Sequence, residues 1–321
     1  MSKLEKEKIV IVGFGWVGQA NALALKYAGH NVSYFDIATT TLHYKDKYEF
    51  LYNDLNLLQS LLENDSTDTW YVVCVGDKVS PEGEQDISAI KKVLELLKGA
   101  KSRVILRSTV LPGYLATLKF DYYIPEFLHE KKAVEESIKP QFFVLGMRNK
   151  EISLPTFIIE WKDKATKSFS GTPEQASYIK YLSNSWNALR IAFVNEFGNS
   201  IASPDNIENV ESIEKVINFL FEEKAYLRYG RSYGGHCLPK DTRAFINWHK
   251  KNSKNVPLME GMHHSNEAHR VIEKQNPYLP EWFSEWVRPQ ISGRAALGAL
   301  WFSIDKKMKA MIDKAVSLYN F

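Results

Sequence analysis

Lys8-Ile9-Val10-Ile11-Val12-Gly13-Phe14-Gly15-Trp16-Val17-Gly18 is the stretch that decides the fold. After Lys8, four β-branched residues follow without interruption, the pattern of a strand covered on both faces of a parallel sheet. The glycines fall as G-x-G-x-x-G: Gly13 for a tight turn, Gly15 for close approach of a pyrophosphate, Gly18 for packing of the next helix on the strand. Ala20, Leu23, Ala24 and Tyr27 then recur at helical spacing, and Gly29 supplies a C-terminal stop. The next strand, Asn31 to Phe35, ends in Asp36, 18 residues beyond Gly18. A carboxylate there accepts hydrogen bonds from a ribose 2′-hydroxyl and repels a 2′-phosphate, so the unit predicts NAD rather than NADP, with Trp16 and Val17 completing the phosphate turn.

Outward from this unit the alternation continues. Trp70 to Val75, Arg103 to Leu106 and Phe142 to Leu145 read as strands and Ile87 to Leu97 as a helix, which predicts an α/β fold with a doubly wound, Rossmann-like parallel sheet. Two strands lead into Arg107-Ser108-Thr109-Val110-Leu111-Pro112-Gly113 and Ile124-Pro125-Glu126-Phe127-Leu128. Phe157-Ile158-Ile159 is strand-like, and residues 162–170 are polar. A long helix is announced by Thr172 as N-cap, Pro173 at the first helical position and Gln175 where a capping box wants Glu or Gln. Ile179, Leu182, Trp186, Leu189, Phe193 and Phe197 make one apolar stripe along it, and its exposed face offers a route to homodimerisation. Lys180, Asn184, Asn187 and Asn195 share another face, where Asn187 and Asn195 read as solvated surface.

After a helix from Ile213 to Glu223 comes Gly234-Gly235-His236-Cys237-Leu238-Pro239-Lys240-Asp241. Two glycines permit a tight loop, and Pro239 fits a first helical turn, so Cys237 falls at a helix N-terminus. Orphan N–H groups and the positive end of the dipole there favour a thiolate. The other cysteine, Cys74 in Tyr71-Val72-Val73-Cys74-Val75, reads as strand core.

These stretches, in this order, resemble the UDP-glucose/GDP-mannose dehydrogenase family: the nucleotide turn, an S-T-V-x-P-G loop at 108–113, a P-E-F-L loop at Pro125 to Leu128, Lys-x-x-x-Asn opening the central helix, and G-G-x-C-x-P-K-D at 234–241. The resemblance spans about residues 8 to 275. It implies NAD-dependent, four-electron oxidation of a nucleotide sugar's primary alcohol, UDP-glucose foremost, in polysaccharide biosynthesis. Cys237 would be the nucleophile and Asp241 the water-activating aspartate. Ser108 and Thr109 would lie by the nicotinamide, Thr109 and Glu126 would act on the hydrolytic water, and Lys180 and Asn184 would face the reacting carbon and the water. Phe127, Leu128, Tyr233, Gly234 and Gly235 would lie beside the sugar. The chain departs from the pattern at Val75-Gly76-Asp77-Lys78, where the family has V-P-T-P, and at Ser177, often glutamate. Past residue 275 the resemblance ends.

The expected layout is an NAD-binding domain at residues 1–165, an all-helical middle and dimerisation domain at 166–275, and a short tail at 276–321 in place of a nucleotide-sugar-binding domain. Gly298 to Asp305 would be at most a remnant of that domain's first strand. The chain has 321 residues, 45% of them hydrophobic, and a net charge of +3, which suits two soluble domains and gives nucleic acid no basic surface. No metal site is expected. Two cysteines make no disulfide framework, and Ala295 to Ile304 is half a membrane span, so the expected location is the cytoplasm. Two other readings stay open: a two-electron β-hydroxyacid-type dehydrogenase with no use for Cys237, and an NAD-binding paralogue that partners or regulates a longer enzyme.

Overall fold

The computed structural model describes residues 7–39, 41–129, 132–149, 153–222 and 226–280; Gly298 to Asp305 and the expected tail from residue 281 onward lie outside them. Two compact units divide at Ser183 and Asn184, inside one long helix.

The first unit runs β1 (Lys8–Val12), α1 (Trp16–Tyr27), β2 (Asn31–Phe35), α2 (Lys45–Tyr52), β3 (Asn56–Leu57), β4 (Thr69–Val73), a hairpin of β5 (Lys78–Val79) and β6 (Gln85–Asp86), α3 (Ser88–Leu96), β7 (Arg103–Leu106), α4 (Pro112–Leu115), β8 (Tyr122–Tyr123), α5 (Ala133–Ile138), β9 (Phe142–Met147), α6 (Thr156–Lys164) and β10 (Lys167–Gly171). An eight-stranded sheet forms in the order β10-β9-β8-β7-β4-β1-β2-β3. Every pairing is parallel except β8 with β9. The uninterrupted run in β1 has a direct cause. Ile9 and Ile11 enter one apolar cluster with α1 and α6, whereas Val10 and Val12 enter another with α3 and α4, so alternate side chains need a partner on each face. Each of the four, at 2% exposure or less, gains about 2 kcal/mol from burial.

In the first unit two expectations change. Phe157-Ile158-Ile159 lies in α6, not a strand; Pro155 caps that helix, and Phe157, Ile158 and Trp161 face inward. Three apolar residues cannot distinguish period 2 from period 3.6, and here Trp161 supplies the helical repeat. The polar stretch after it holds β10, which pairs with β9 although it lies past residue 165. β10 is a sheet edge with four of its five residues exposed, so backbone pairing rather than an apolar pattern defines it.

The long helix α7 (Pro173–Ile201) begins as the capping box requires: Gln175 N–H donates to Thr172 Oγ1 at 3.2 Å and Thr172 N–H to Gln175 Oε1 at 3.0 Å. At 29 residues it is about 43 Å long. From Asn184 it belongs to the second unit, with α8 (Ile207–Phe221), α9 (Leu238–Lys251) and α10 (Pro257–Gln275). There Ala188, Ile191, Ala192 and Val194 face the core, with Ile213 and Ile217 of α8 and Met262 of α10. The aromatic stripe does not: Leu182, Trp186, Phe193 and Phe197 are 69, 55, 53 and 52% exposed. Asn195, expected on the surface, is buried. Its amide donates to Arg231 O and accepts from Gly230 N–H, both at 3.0 Å, because the segment before the cysteine loop has no ladder of its own and needs side-chain partners.

Candidate active site

In the first unit the carboxyl ends of the parallel strands carry the expected residues. Gly13, at the end of β1, has φ +90°, and a Cβ there would lie 3.0 Å from Val75 N; a Cβ on Gly18 would fall 1.9 Å from Gly13 O. Nothing approaches the corresponding space at Gly15. Gly15 caps α1 without a side-chain acceptor, and no acid occupies the first turn, leaving N–H groups for an anion. Trp16 stacks on His43 with 3.7 Å between ring centres. Val17 is half-buried in the same turn. Asp36, following β2, accepts from Phe14 N–H at 2.6 Å and Ala38 N–H at 3.0 Å. A carboxylate has about four acceptor sites, so two stay open to a ribose. These residues fit a dinucleotide.

Farther along the sheet edge, Ser108 is buried after β7 and Thr109 half-buried. Glu126 follows β8 and is 7% exposed. Its Oε1 takes a hydrogen bond from Lys180 Nζ at 2.9 Å and its Oε2 one from Leu128 N–H at 2.7 Å. Burial raises its pKa, but the Lys180 ammonium, the Leu128 N–H and the Arg107 guanidinium together outweigh that and hold it below the ordinary 4.5. Lys180 Nζ also lies 5.4 Å from the centre of the Phe127 ring. Arg107 is the residue the sequence reading left out: 7% exposed, 5.0 Å from the Trp161 ring centre, and depressed in pKa by burial against the pull of Cys74 and Glu126. Its place directly after a buried strand was the available signal.

The second unit assembles the cysteine loop. Cys237 is exposed and caps α9, and Asp241 N–H donates to Cys237 O at 2.9 Å, closing the first turn. Asp241 is 2% exposed; its Oδ2 accepts from Asn184 Nδ2 at 2.6 Å, and Lys240 Nζ approaches its Oδ1 at 2.8 Å as an ion pair. Gly235 takes φ +73°, open to glycine at little cost, and a Cβ on Gly234 would meet nothing. Tyr233 is fully buried and anchors the loop: its N–H donates to Asn266 Oδ1 at 2.7 Å, and its carbonyl accepts from Asn266 Nδ2 and Arg270 Nη2. His269 reaches Gly230 O at 2.7 Å, and burial lowers its pKa. Among the described residues no group of acids, histidines and cysteines could hold a metal ion, and no helix is long and apolar enough to cross a membrane.

A Rossmann-type sheet with this glycine turn and acid defines a dinucleotide-binding domain. Residues 7–159 match the NAD binding domain, and residues 174–268 the central domain, of the UDP-glucose/GDP-mannose dehydrogenase family, and the chain belongs to that family. Its cofactor is NAD. It is similar to the UDP-glucose 6-dehydrogenase of Rickettsia bellii, 28% identical over 295 residues, covering 80% of this chain and 66% of that protein. It is also similar to the GDP-mannose 6-dehydrogenase of Pseudomonas aeruginosa, 27% identical over 282 residues, covering 74% and 63%. The chain thus spans just under two thirds of these relatives. Its fold is that of a UDP-glucose dehydrogenase from Pyrobaculum islandicum, with TM-score 0.67 at 21% identity over 84% of this chain and 70% of that one.

Proposed function

We propose that the chain oxidises the primary alcohol of a nucleotide sugar, UDP-glucose being the first to test, to the carboxylate through a covalent intermediate on Cys237. The observation that carries this reading is Cys237 at the mouth of α9 with a buried Asp241 one turn on, bonded to Asn184. An exposed thiol at a helix N-terminus is placed to be a nucleophile rather than a core residue. The Gly13–Gly18 turn and Asp36 would hold NAD, and one NAD for each of the two oxidations would supply the hydride acceptor. Between them, the Cys237 sulfur attacks the aldehyde carbon, forming a C–S bond and a hydroxyl; the second oxidation leaves a thioester, and water cleaves the C–S bond to release acid and thiol. Asn184 holds that water and Asp241 deprotonates it, with Glu126 and Thr109 assisting, and the Lys180 ammonium stabilises the developing oxyanion. Phe127, Leu128 and the Tyr233-Gly234-Gly235 loop shape the sugar's surroundings. A second copy of the chain packs on the exposed stripe of α7.

The test is a panel of nucleotide sugars including UDP-glucose and GDP-mannose, scored by NADH release with the purified chain and its Cys237→Ala variant. Turnover by the wild type with no acid from the variant supports the reading. Acid production that survives in Cys237→Ala overturns the thioester route.

A further inference from the structure

Gln85 lies in β6, a two-residue strand, and is 5% exposed. Its side-chain amide joins four elements of the first unit. The two Nε2 hydrogens serve Asp77 Oδ2 at 2.7 Å in the loop after β4 and Thr109 O at 3.1 Å in the loop after β7, and Tyr181 Oη on α7 lies 3.3 Å from the same nitrogen. Oε1 accepts from Leu111 N–H at 2.9 Å. Ser177, also on α7 and fully buried, donates to Val110 O at 2.6 Å. Thus the carbonyls of Thr109 and Val110 and the N–H of Leu111, three consecutive residues outside any strand, find their partners in two buried side chains. Without those partners the loop would bury unsatisfied backbone groups or swing toward solvent. Gln85 is an unusual choice in β6, where packing alone would be served by an apolar side chain.

We propose that Gln85 is a positioning residue for the dehydrogenase reaction: through its amide it fixes the Thr109 backbone against Tyr181, the neighbour of Lys180 on α7. This inference rests on the reading given under Proposed function. The loop after β4, Val75-Gly76-Asp77, contains no proline to stiffen it, and the Asp77 carboxylate receives the shortest of the Gln85 hydrogen bonds. Gln85 therefore couples that loop to Thr109, and misplacing a catalytic group by about 1 Å costs up to roughly a hundredfold in rate.

The experiment compares the full chain with Gln85→Met, close in volume and unable to make any of these polar contacts, and with Leu94→Ala in the neighbouring apolar cluster as a control for stability alone. Three quantities are read: kcat and KM for the nucleotide sugar that the wild type turns over, the dissociation constant of NAD from tryptophan fluorescence, and hydrogen exchange of the peptide spanning residues 107–113 in the NAD complex. In Gln85→Met, kcat should fall about tenfold or more, KM and NAD affinity should stay within about twofold, and exchange at 107–113 should speed at least tenfold while β4 and β7 stay protected. Leu94→Ala should change melting temperature without that split. A kcat within twofold of wild type in Gln85→Met, or unchanged exchange at 107–113, overturns the positioning role. A wild-type chain that binds NAD yet turns over no nucleotide sugar overturns the reaction itself, and this role with it, whereas an active wild type matched by Gln85→Met overturns this role alone.

Discussion

Cys74 and Cys237 carry the same functional group in opposite settings. Cys74 follows a buried strand, and burial, reinforced by Glu126 and opposed by Arg107, pushes its thiol up to about 12. Cys237 is exposed at a helix end. A thiol-alkylating reagent at pH 7 should therefore modify one cysteine per chain rapidly, and Cys237→Ala should abolish that labelling while Cys74→Ala leaves it intact. Two rapid sites, or labelling that persists in Cys237→Ala, would show the settings to be misassigned. Lys180 and Glu126 make a second residue-scale case. The folded pKa of Glu126 is depressed, so the pair's contribution is present above about pH 4.5 and is lost as pH falls through the depressed value. Lys180→Met leaves a buried carboxylate without its ammonium, at a cost of about 3 kcal/mol near neutrality. Losing the ammonium moves the Glu126 pKa up, so the penalty should shrink as pH falls and that carboxylate takes up a proton. Melting temperatures of both proteins between pH 4 and 8 check this; a constant difference would mean that the ion pair does not set the stability.

Among the elements, the αβ units and the capping box of α7 were legible because each rests on local patterns: β-branched runs, glycines at fixed spacing, Thr172 answered by Gln175. The residues missed are those whose role depends on distant partners. Asn195 looks like any helical amide until Gly230 and Arg231, more than thirty residues away, are found against it, and a polar edge strand such as β10 shows itself only through its pairing. Gly198 belongs to this class. A Cβ there would lie 2.2 Å from the Tyr229 ring, whose hydroxyl donates to Asn199 Oδ1 at 2.7 Å. Helix propensity alone would make Gly198→Ala stabilising by about 1 kcal/mol. The clash dominates, so the variant should instead lose about 1–3 kcal/mol in urea unfolding, and a gain would show that Tyr229 can move aside. The opposite face of α7 carries Trp186 and Phe193 to solvent, each more than half exposed. In sedimentation velocity, the proposed self-association should give a dimer for wild type and a monomer for Trp186→Glu with Phe193→Glu, whereas a wild-type monomer at micromolar concentration would remove that role from α7.

For the whole molecule, the proposed chemistry needs contributions from both compact units. Gly13 to Asp36, Thr109, Glu126 and Lys180 lie before the division at Ser183, and Asn184, Cys237 and Asp241 lie after it. Lys180 and Asn184 are one helical turn apart in α7. A cofactor unit alone accounts for one hydride transfer from an alcohol; only a nucleophile in the second unit gives reason for two. The count of NADH per acid therefore reports on the second unit's part in the reaction. With limiting UDP-glucose, or whichever nucleotide sugar the chain accepts, two NADH should form per carboxylate, and aldehyde should not accumulate, because it is held on Cys237 until oxidised. In Cys237→Ser the weaker nucleophile should slow release of acid by several orders of magnitude while NAD affinity stays unchanged. A yield of one NADH with free aldehyde as the product would confine the chemistry to a single hydride transfer and leave Cys237, for all its placement at the mouth of α9, without a covalent role.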